Sequence, residues 1–468
     1  MREQKRSKGL KGGFSHMKRF HRSLAAATVS LTALMALGGG AYAGGFAVRE
    51  QSAQAQGQSF AGAASGSGGL GSMFWNPATI TMNPGWQSQY SVSVIIPTAE
   101  IKPQFGTSPL LATPSLSGNF IPSGDIGQDA IVVSGYSSIQ VNDWLWIGNS
   151  SGAPYGLVTK PRDVWAGQVY SRSSKIMTFD VNPIIGIKVN EWLSIAAGPE
   201  IQYFDTKLKR ALSPAATAGN AILEGDSIGI GWTAGVTITP WTGTVLGVGF
   251  RSSIHHELDG SVKPGGGLYI PIEAKLNLPE TVTVGLTQSI WPNLRVNLGF
   301  EWANWSRLGT QAIVATETIP GLALRGAPVT SLALNYKDGH FYSIGAEYDW
   351  NERLTVRAGL AYEDSPITDA IRSTRLPDND RIWASLGASY KWNEKLSFDV
   401  SYTHIFVRDT PIRIVPGHQD FIPTPLAAGG LPFVADVDAR VDIFSVGLKY
   451  RWDTPSVPIP AEPIVRKY

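Results

Sequence analysis

Few residues of this 468-residue chain have the types and spacing to do chemistry. The stretch "FDTKLKRAL" (Phe204–Leu212) gathers Lys207, Lys209 and Arg210. Of these, Lys207 and Arg210 are the candidates for pairing with an anionic group of a ligand, because charge-assisted hydrogen bonds to an anion need such donors. The plain alternative is that they are solvated cations at the base of a loop. "RLPDNDRIW" (Arg375–Trp383) offers Asp378, Asp380 and Arg381, a set better suited to a buried ion-pair network shaping a wall than to a ligand site. His255 and His256 are adjacent, so on a strand they face opposite ways, and the pair is expected at the surface rather than on a metal. There is no Cys, which removes disulfides and thiolate metal sites, and the seven His form no recognisable triad spacing. An enzyme, a bound metal and a cofactor are therefore not expected. "WNPA" (Trp75–Ala78) suits neither a helix nor a long strand; Asn76 and Pro77 are turn formers, with Ala78 completing the motif.

The elements that must position these residues show a period of two. In "RVNLGFEW" the apolar set is Val296, Leu298, Phe300 and Trp302, against Arg295, Asn297, Gly299 and Glu301. "LTVRAGLAYE" (Leu354–Glu363), "LSFDVSYT" (Leu396–Thr403) and "DIFSVGLKYRW" (Asp442–Trp452) repeat the alternation, which gives a strand one apolar and one polar face. A soluble sandwich would also alternate. Strands of about ten residues, however, match a tilted bilayer crossing. Tryptophans near strand ends, Trp144, Trp192, Trp232, Trp241, Trp291, Trp302, Trp305, Trp350, Trp383, Trp392 and Trp452, suit interfacial girdles. No eighteen-residue apolar run occurs past the N-terminus, so ordinary transmembrane helices are excluded, in keeping with a mean hydropathy of −0.03.

Residues 1–43 read as a secretion signal. "MKRFHR" (Met17–Arg22) is a basic start, Ser23–Leu37 an apolar core, and Ala41-Tyr42-Ala43 an A-x-A cleavage site, with Met17 a candidate true start. The segment holds eight Lys/Arg and one Glu of the chain's 39 basic and 37 acidic residues, so the remainder carries 31 against 36, a net −5. Nucleic-acid binding has no support in that charge.

Short links such as Val189–Trp192, Thr239–Thr244, Ile290–Asn293, Asp349–Arg353 and Lys391–Lys395 read as periplasmic turns. Leu208–Ser227, Ser261–Leu278, Thr310–Gly339, Glu363–Asp380 and Arg408–Ala439 read as long extracellular loops. Two of these, Ile313–Pro328 and Ile414–Phe433, are unusually apolar, as a capture groove would be; packing on each other is the alternative. The count predicts an all-β fold, a transmembrane antiparallel barrel of about fourteen strands over residues 85–453. The proline-rich tail at 454–468 cannot be a ladder strand. Such a barrel is too wide for its own side chains to fill. The Gly/Ser/Ala-rich stretch 44–84, which precedes the first strand, is therefore expected to plug the lumen as a hatch.

"GGFAVREQSAQAQGQSFAG" followed by "FWNPA" resembles the N-terminus of the FadL family of outer-membrane transporters, and the likeness continues in order through "APYGLVT", "WAGQ", "NPIIGIKVNEWLSIAAGPEIQY", "GFRSSIHHELDG", "LPETVTVGL", "EWANWSRL" and "RLPDNDRIWASLGASY". The resemblance implies a hatch-plugged barrel in the Gram-negative outer membrane, among lipid and lipopolysaccharide, that takes up hydrophobic molecules passively. Long-chain fatty acids are the first expectation and aromatic or aliphatic hydrocarbons the alternative; an outer-membrane enzyme or adhesin is a distant third, and a monomer is expected. The resemblance also implies that Gly44, Gly45 and Phe46 point into the lumen near the ligand, that Asn76 ties the hatch to the wall, and that ligand leaves sideways at a kinked strand. "IGNSSGAPYG" (Ile147–Gly156) interrupts a good strand; Gly152, Pro154, Tyr155 and Gly156 are the candidate kink, with a loop between two strands as the alternative.

Overall fold

The computed structural model describes residues 44–112, 120–423 and 430–453; the expected signal segment and the proline-rich tail lie outside the described residues. Twenty strands follow in chain order: β1 (Trp86–Pro103), β2 (Ala130–Gln140), β3 (Leu145–Gly152), β4 (Gly156–Thr159), β5 (Ser173–Lys188), β6 (Leu193–Ala211), β7 (Asn220–Trp241), β8 (Thr244–Arg251), β9 (Ile254–Gly265), β10 (Leu268–Leu278), β11 (Thr281–Trp291), β12 (Leu294–Ala303), β13 (Thr310–Ala315), β14 (Pro328–Ala333), β15 (Gly339–Asp349), β16 (Leu354–Asp364), β17 (Arg381–Lys391), β18 (Leu396–Val407), β19 (Thr410–Ile414) and β20 (Phe433–Arg451). Antiparallel pairing runs β1-β2-β3-β5-β6-β7-β8-β11-β12-β15-β16-β17-β18-β20 and closes from β20 onto β1, a ring of fourteen strands. Closure leaves the sheet no terminal edge strand, as a lipid-embedded sheet requires.

The alternation puts apolar residues on the outside. Leu298, Ile344, Leu360, Leu386, Val400 and Val446 are exposed, whereas Asn297, Ser343, Ser385, Asp399 and Ser445 on the same strands are buried inside. This inverts the pattern of a soluble protein and fits a wall whose outer solvent is hydrocarbon. Trp144, Trp192, Trp241, Trp291, Trp350, Trp392 and Trp452 stand exposed beside the short turns and form a girdle at that end. Trp305 and Trp383 do not belong to it: both are buried in the lumen, on inward positions. Four of the turns share one device. Asn142, Asn190, Asn351 and Asn393 each accept two backbone N–H bonds through Oδ1, from residues two and three further on, which closes the turn.

At the other end, several expected loops are strand. β6 and β7 pair up to Ala211↔Asn220, so the link between them is far shorter than Leu208–Ser227. Ser261–Leu278 is mostly the β9–β10 hairpin, Thr310–Gly339 contains β13 and β14, and Arg408–Ala439 contains β19 and the start of β20. Strands of up to 22 residues thus rise well beyond a bilayer crossing, and β9, β10, β13 and β14 extend the sheet above the ring.

Residues 44–84 precede β1, and almost all are buried. A four-residue helix (Ala53–Gln56) and 3-10 turns at Ala63–Ser65, Gly69–Phe74 and Pro77–Met82 carry the chain. The segment bonds to inward side chains all round the ring. Ala53 N donates to Ser91 Oγ, Ser59 Oγ to Ser385 Oγ, Asn297 Nδ2 to Gln58 Oε1, and Ser445 Oγ to Gln56 Oε1, while Ser65 and Thr287 hydroxyls meet at 2.8 Å. It therefore lies in the lumen. Wall glycines make room for it: a Cβ at Gly285, Gly345 or Gly387 would stand 2.7, 2.8 or 2.6 Å from the Ser65 N, Gln58 Cβ or Gly57 Cα it faces.

Candidate functional site

The wall ladder is interrupted where β3 gives way to β4. β3 pairs β2 only from Gly135↔Ser151 to Gln140↔Trp146. After Gly152 the chain leaves the ladder for three residues, then resumes as β4, which pairs β5 but no neighbouring stretch of β2. Ala130–Ser134 of β2 consequently keep only β1 as a ladder partner. Pro154 cannot donate to a ladder, and Gly152 has no space for a Cβ against the Gln51 carboxamide. The displaced backbone turns inward onto the luminal segment. Val48 N donates to Pro154 O and Gly156 N to Phe46 O, both at 2.8 Å, with Ala47 bridged to Tyr155 between them. Gln51 Nε2 donates to Ala153 O at 2.9 Å. The rings of Phe46, Tyr155 and Trp305 stack edge-on with centroids 4.8 to 5.9 Å apart. Gly152, Pro154, Tyr155 and Gly156 thus sit together at this break.

The start of the luminal segment rests on a buried ion cluster. Gly44 N donates to Glu363 Oε1 at 3.0 Å and Gly45 N to Asp378 Oδ2 at 2.9 Å. Glu363 also accepts from Arg49 Nε at 3.1 Å and from Trp383 Nε1 at 3.1 Å. Arg49 reaches Glu301 at 2.8 Å and lies 4.0 Å over the Phe341 ring. Arg381 pairs with Asp378 and lies 3.7 Å from Glu363. Asp380, expected in the same network, stands apart: it accepts from Ser365 N and Tyr362 OH, each at 3.1 Å. A second cluster, Arg251 with Asp180 and Glu200, lies against Phe74 of the luminal segment, the guanidinium 4.3 Å over the ring.

Asn76 is fully buried and bonds in both directions. Its Oδ1 caps the 3-10 turn by accepting from Ala78 N at 3.0 Å. Its Nδ2 donates to Ala64 O at 2.7 Å and across to Val236 O of β7 at 2.9 Å. Pro77 takes the first helical position, where no N–H is needed.

Two cavities that share part of their lining lie beyond the cluster. The larger, about 420 Å³, is bordered by Tyr170, Arg210, Leu212, Val262, Phe421 and Ile422. The smaller, about 100 Å³, is walled by aliphatic and aromatic side chains including Phe46, Leu157, Phe204, Leu276, Tyr336 and Leu376. Leu208, Leu223, Ile313, Leu332, Arg375 and Asp420 border both. A further space of about 40 Å³ links Ala47, Arg49 and Trp305 to Pro154 and Tyr155 at the wall break. Arg375 is the cation at the junction. Its NH1 donates only a long 3.4 Å bond to Lys209 O, and burial pulls its pKa down to about 10, so it stays charged at neutral pH. Burial likewise raises the pKa of Asp420.

Of the two cations singled out in the sequence, Arg210 borders the larger cavity, whereas Lys207 pairs with Glu224 at 2.6 Å. Of the apolar loops, Phe421 and Ile422 line that cavity, while Leu322 and Leu324 are exposed. His255 is exposed as expected, but His256 is buried, its Nε2 3.2 Å from Gln202 Oε1. Sequence reasoning missed Arg49, Glu301 and Glu363, although each polar strand position has the inward parity of its neighbours. It also missed Arg375, which lies in a loop with no periodicity to place it.

The family of outer membrane protein transport proteins (OMPP1/FadL/TodX) matches residues 34–452. The long-chain fatty acid transport protein of Escherichia coli strain K12 is 26% identical, over 82% of this chain and 92% of that protein. Outer membrane protein P1 of Haemophilus influenzae is 25% identical, over 83% and 90%. Among solved structures, a FadL homologue of Pseudomonas aeruginosa superposes with a TM-score of 0.76 at 22% identity, covering 88% of this chain and all of that one. The toluene transporter TodX of P. putida gives 0.62 at 15%, covering 86% and 99%. The chain is an outer-membrane β-barrel that belongs to the OMPP1/FadL/TodX family of transporters of hydrophobic molecules.

Proposed function

We propose that this member of the family takes up long-chain fatty acids or similar amphiphilic carboxylates. Substrate enters the larger cavity between the loops and passes into the smaller apolar one with its carboxylate on Arg375. It leaves sideways at the β3/β4 break, while the luminal segment acts as the hatch that denies water a straight path. The carrying observation is Arg375, a half-buried residue whose guanidinium stands at the junction of an apolar cavity and a more polar one. A chain of methylenes gains about 0.8 kcal/mol for each CH₂ taken from water, and a buried cation gains from an anion that restores its lost solvation. A hydrocarbon would use the walls and leave the guanidinium to the neighbouring Asp420. Arg210, on the border of the larger cavity, is placed to meet the carboxylate first.

The test is uptake of labelled oleate and toluene in cells without their own transporter, carrying the protein or Arg375→Met. A charge-assisted bond of about 1.5–3 kcal/mol corresponds to roughly a 10- to 150-fold loss of oleate affinity, with toluene uptake unchanged. Equal loss for both substrates would refute the carboxylate assignment, and uptake of neither above the empty cells would refute transport of these substrates.

A further inference from the structure

Asp420 borders both cavities, as Arg375 does, and each side chain feels the charge of the other. The two are not in ion-pair contact. Among the described residues, no hydrogen bond or ion pair reaches either Asp420 carboxyl oxygen; the residue is tied through its backbone, whose N–H donates to His418 Nδ1 at 3.0 Å. Its neighbour Gln419 fixes the place. Gln419 Nε2 donates to Ala333 O at 3.0 Å and, at 3.4 Å, to Leu334 O and Ile371 O, while its Oε1 accepts from Asn335 Nδ2 at 2.8 Å. A half-buried carboxyl is thus held at the cavity with its oxygens left free. Burial without donors favours the neutral form of such a group.

Few other charges act at this point. Burial keeps His418, on the same turn, toward its neutral form. Tyr170 and Tyr336, from the segments before β5 and β15, both sense the Asp420 charge, and burial holds both hydroxyls protonated, that of Tyr170 with a pKa pushed up to about 12. On β7 and β10, Glu224 and Lys275 border the smaller cavity, but Glu224 pairs with Lys207 and Lys263, and Lys275 with Glu257. Arg210 of β6 is exposed, so solvent screens it.

We propose that Asp420 carries a proton whenever an anionic head group occupies Arg375, so that capture takes up one proton and Asp420 sets the pH range over which anionic amphiphiles are accepted. The assignment rests on the carboxylate reading of the cavity. An anion on Arg375 stands near the free Asp420 oxygens, and two negative charges sharing one guanidinium disfavour each other. A protonated Asp420 removes that repulsion, and its O–H is free to donate to the bound head group. An ionised Asp420 does the opposite: it competes for Arg375 and repels the ligand. The sign follows by linkage. The anion raises the proton affinity of Asp420, so binding is at full strength below the pKa of the empty site and weakens as pH rises above it, by at most about tenfold per pH unit. The empty-site value already lies above the ordinary carboxylate value of about 3.9. A neutral amphiphile makes no such demand, so rising pH shifts selection away from anions.

The experiment is calorimetric binding to the full protein in lipid nanodiscs. The probes are dodecanesulfonate, which stays charged throughout, and dodecanol, which is neutral. Sulfonate is expected to bind at least about fivefold more weakly at pH 8 than at pH 5, with dodecanol unchanged. Asp420→Asn should be flat for both and bind sulfonate at pH 8 as wild type does at pH 5. The same slope in Asp420→Asn assigns the proton to another group, His418 first, and overturns the proposal, as does an equal slope for dodecanol. Should the variant fail to fold, wild type alone decides: sulfonate binding enthalpies in phosphate and Tris at one pH should differ by the heat of proton uptake, and identical enthalpies overturn it. Sulfonate binding that is independent of pH but abolished in Arg375→Met overturns the role of Asp420 and leaves the carboxylate reading standing. Sulfonate binding unchanged in Arg375→Met removes that reading and this proposal together.

Discussion

Asn76→Ala separates the luminal segment's attachment from the stability of the barrel. Asn76 Oδ1 caps the turn at Ala78 N, and loss of such a cap costs about 1 kcal/mol. Its Nδ2 is bonded to Ala64 O and Val236 O, and a buried acceptor left without its donor costs about 1–3 kcal/mol. The sum is about 3 kcal/mol, allowing for partial rescue of Val236 O by its own ladder. At about 1.4 kcal/mol per factor of ten, the opening equilibrium of the segment rises roughly 150-fold. Hydrogen exchange read by mass spectrometry on the purified barrel is the assay. Amides of Ala63–Met82 lose about two decades of protection, while those of β15–β18, far around the ring, stay unchanged. Asn76→Asp keeps the cap acceptor but loses both donors and sets a carboxylate against two carbonyls. It should be no better than Ala if the wall tie dominates. A less than fivefold change in Asn76→Ala, or an equal loss in the distant strands, would refute this account. An intact Asp variant would show that the cap alone holds the segment.

Other perturbations test the neighbouring claims. The chain has no Cys, so Ala47→Cys/Tyr155→Cys can be read cleanly; flanking bonds make these a non-hydrogen-bonded antiparallel pair, with Cα atoms about 4.5 Å apart, within disulfide reach. If the segment must leave the kink for ligand to pass, oxidation abolishes uptake and reduction restores it; uptake indifferent to redox state would show the contact is static. Glu50 binds a proton more tightly folded than unfolded, so its contribution to protection of the surrounding segment is full below about pH 4.5 and falls as pH rises from there through 7, by on the order of 3 kcal/mol. Glu50→Gln should flatten that slope, as measured by hydrogen exchange at matched chemical rates. Leu360→Arg puts a charge on the lipid face in mid-strand and should cost about 2–4 kcal/mol in reversible folding into lipid, whereas Leu360→Val should be nearly neutral.

The sequence made the wall legible because two solvents act on it. Hydrocarbon outside and a polar lumen inside force a period of two, and β12, β16, β18 and β20 could be read directly. Parity carried more than was read from it. Trp383 shares its face with Ser385 and Gly387, which places it in the lumen and not in a girdle, and the same count turns Glu363 and Glu301 inward. Above the membrane the rule inverts on β9 and β10, where Ile254, Leu258, Ile270, Ile272 and Leu276 are buried while His255, Glu257 and Lys275 are exposed. Pro271 and the run Gly265–Gly267 made a paired hairpin look like a loop. The most informative missed signal is the glycines. Gly247, Gly285 and Gly299 face one another on successive strands, and Gly345 faces Gly359 further round. All occupy the inward position in mid-strand, where glycine weakens a strand by its entropy and missing side chain and so needs a reason. The reason is the backbone of residues 57–76 pressed against them. A belt of inward glycines at one height is thus the imprint of whatever fills a barrel, readable before the filling segment is seen. Arg375 left no such trace, because its role comes from convergence of a loop, two hairpins and the lumen, and no local pattern encodes that meeting.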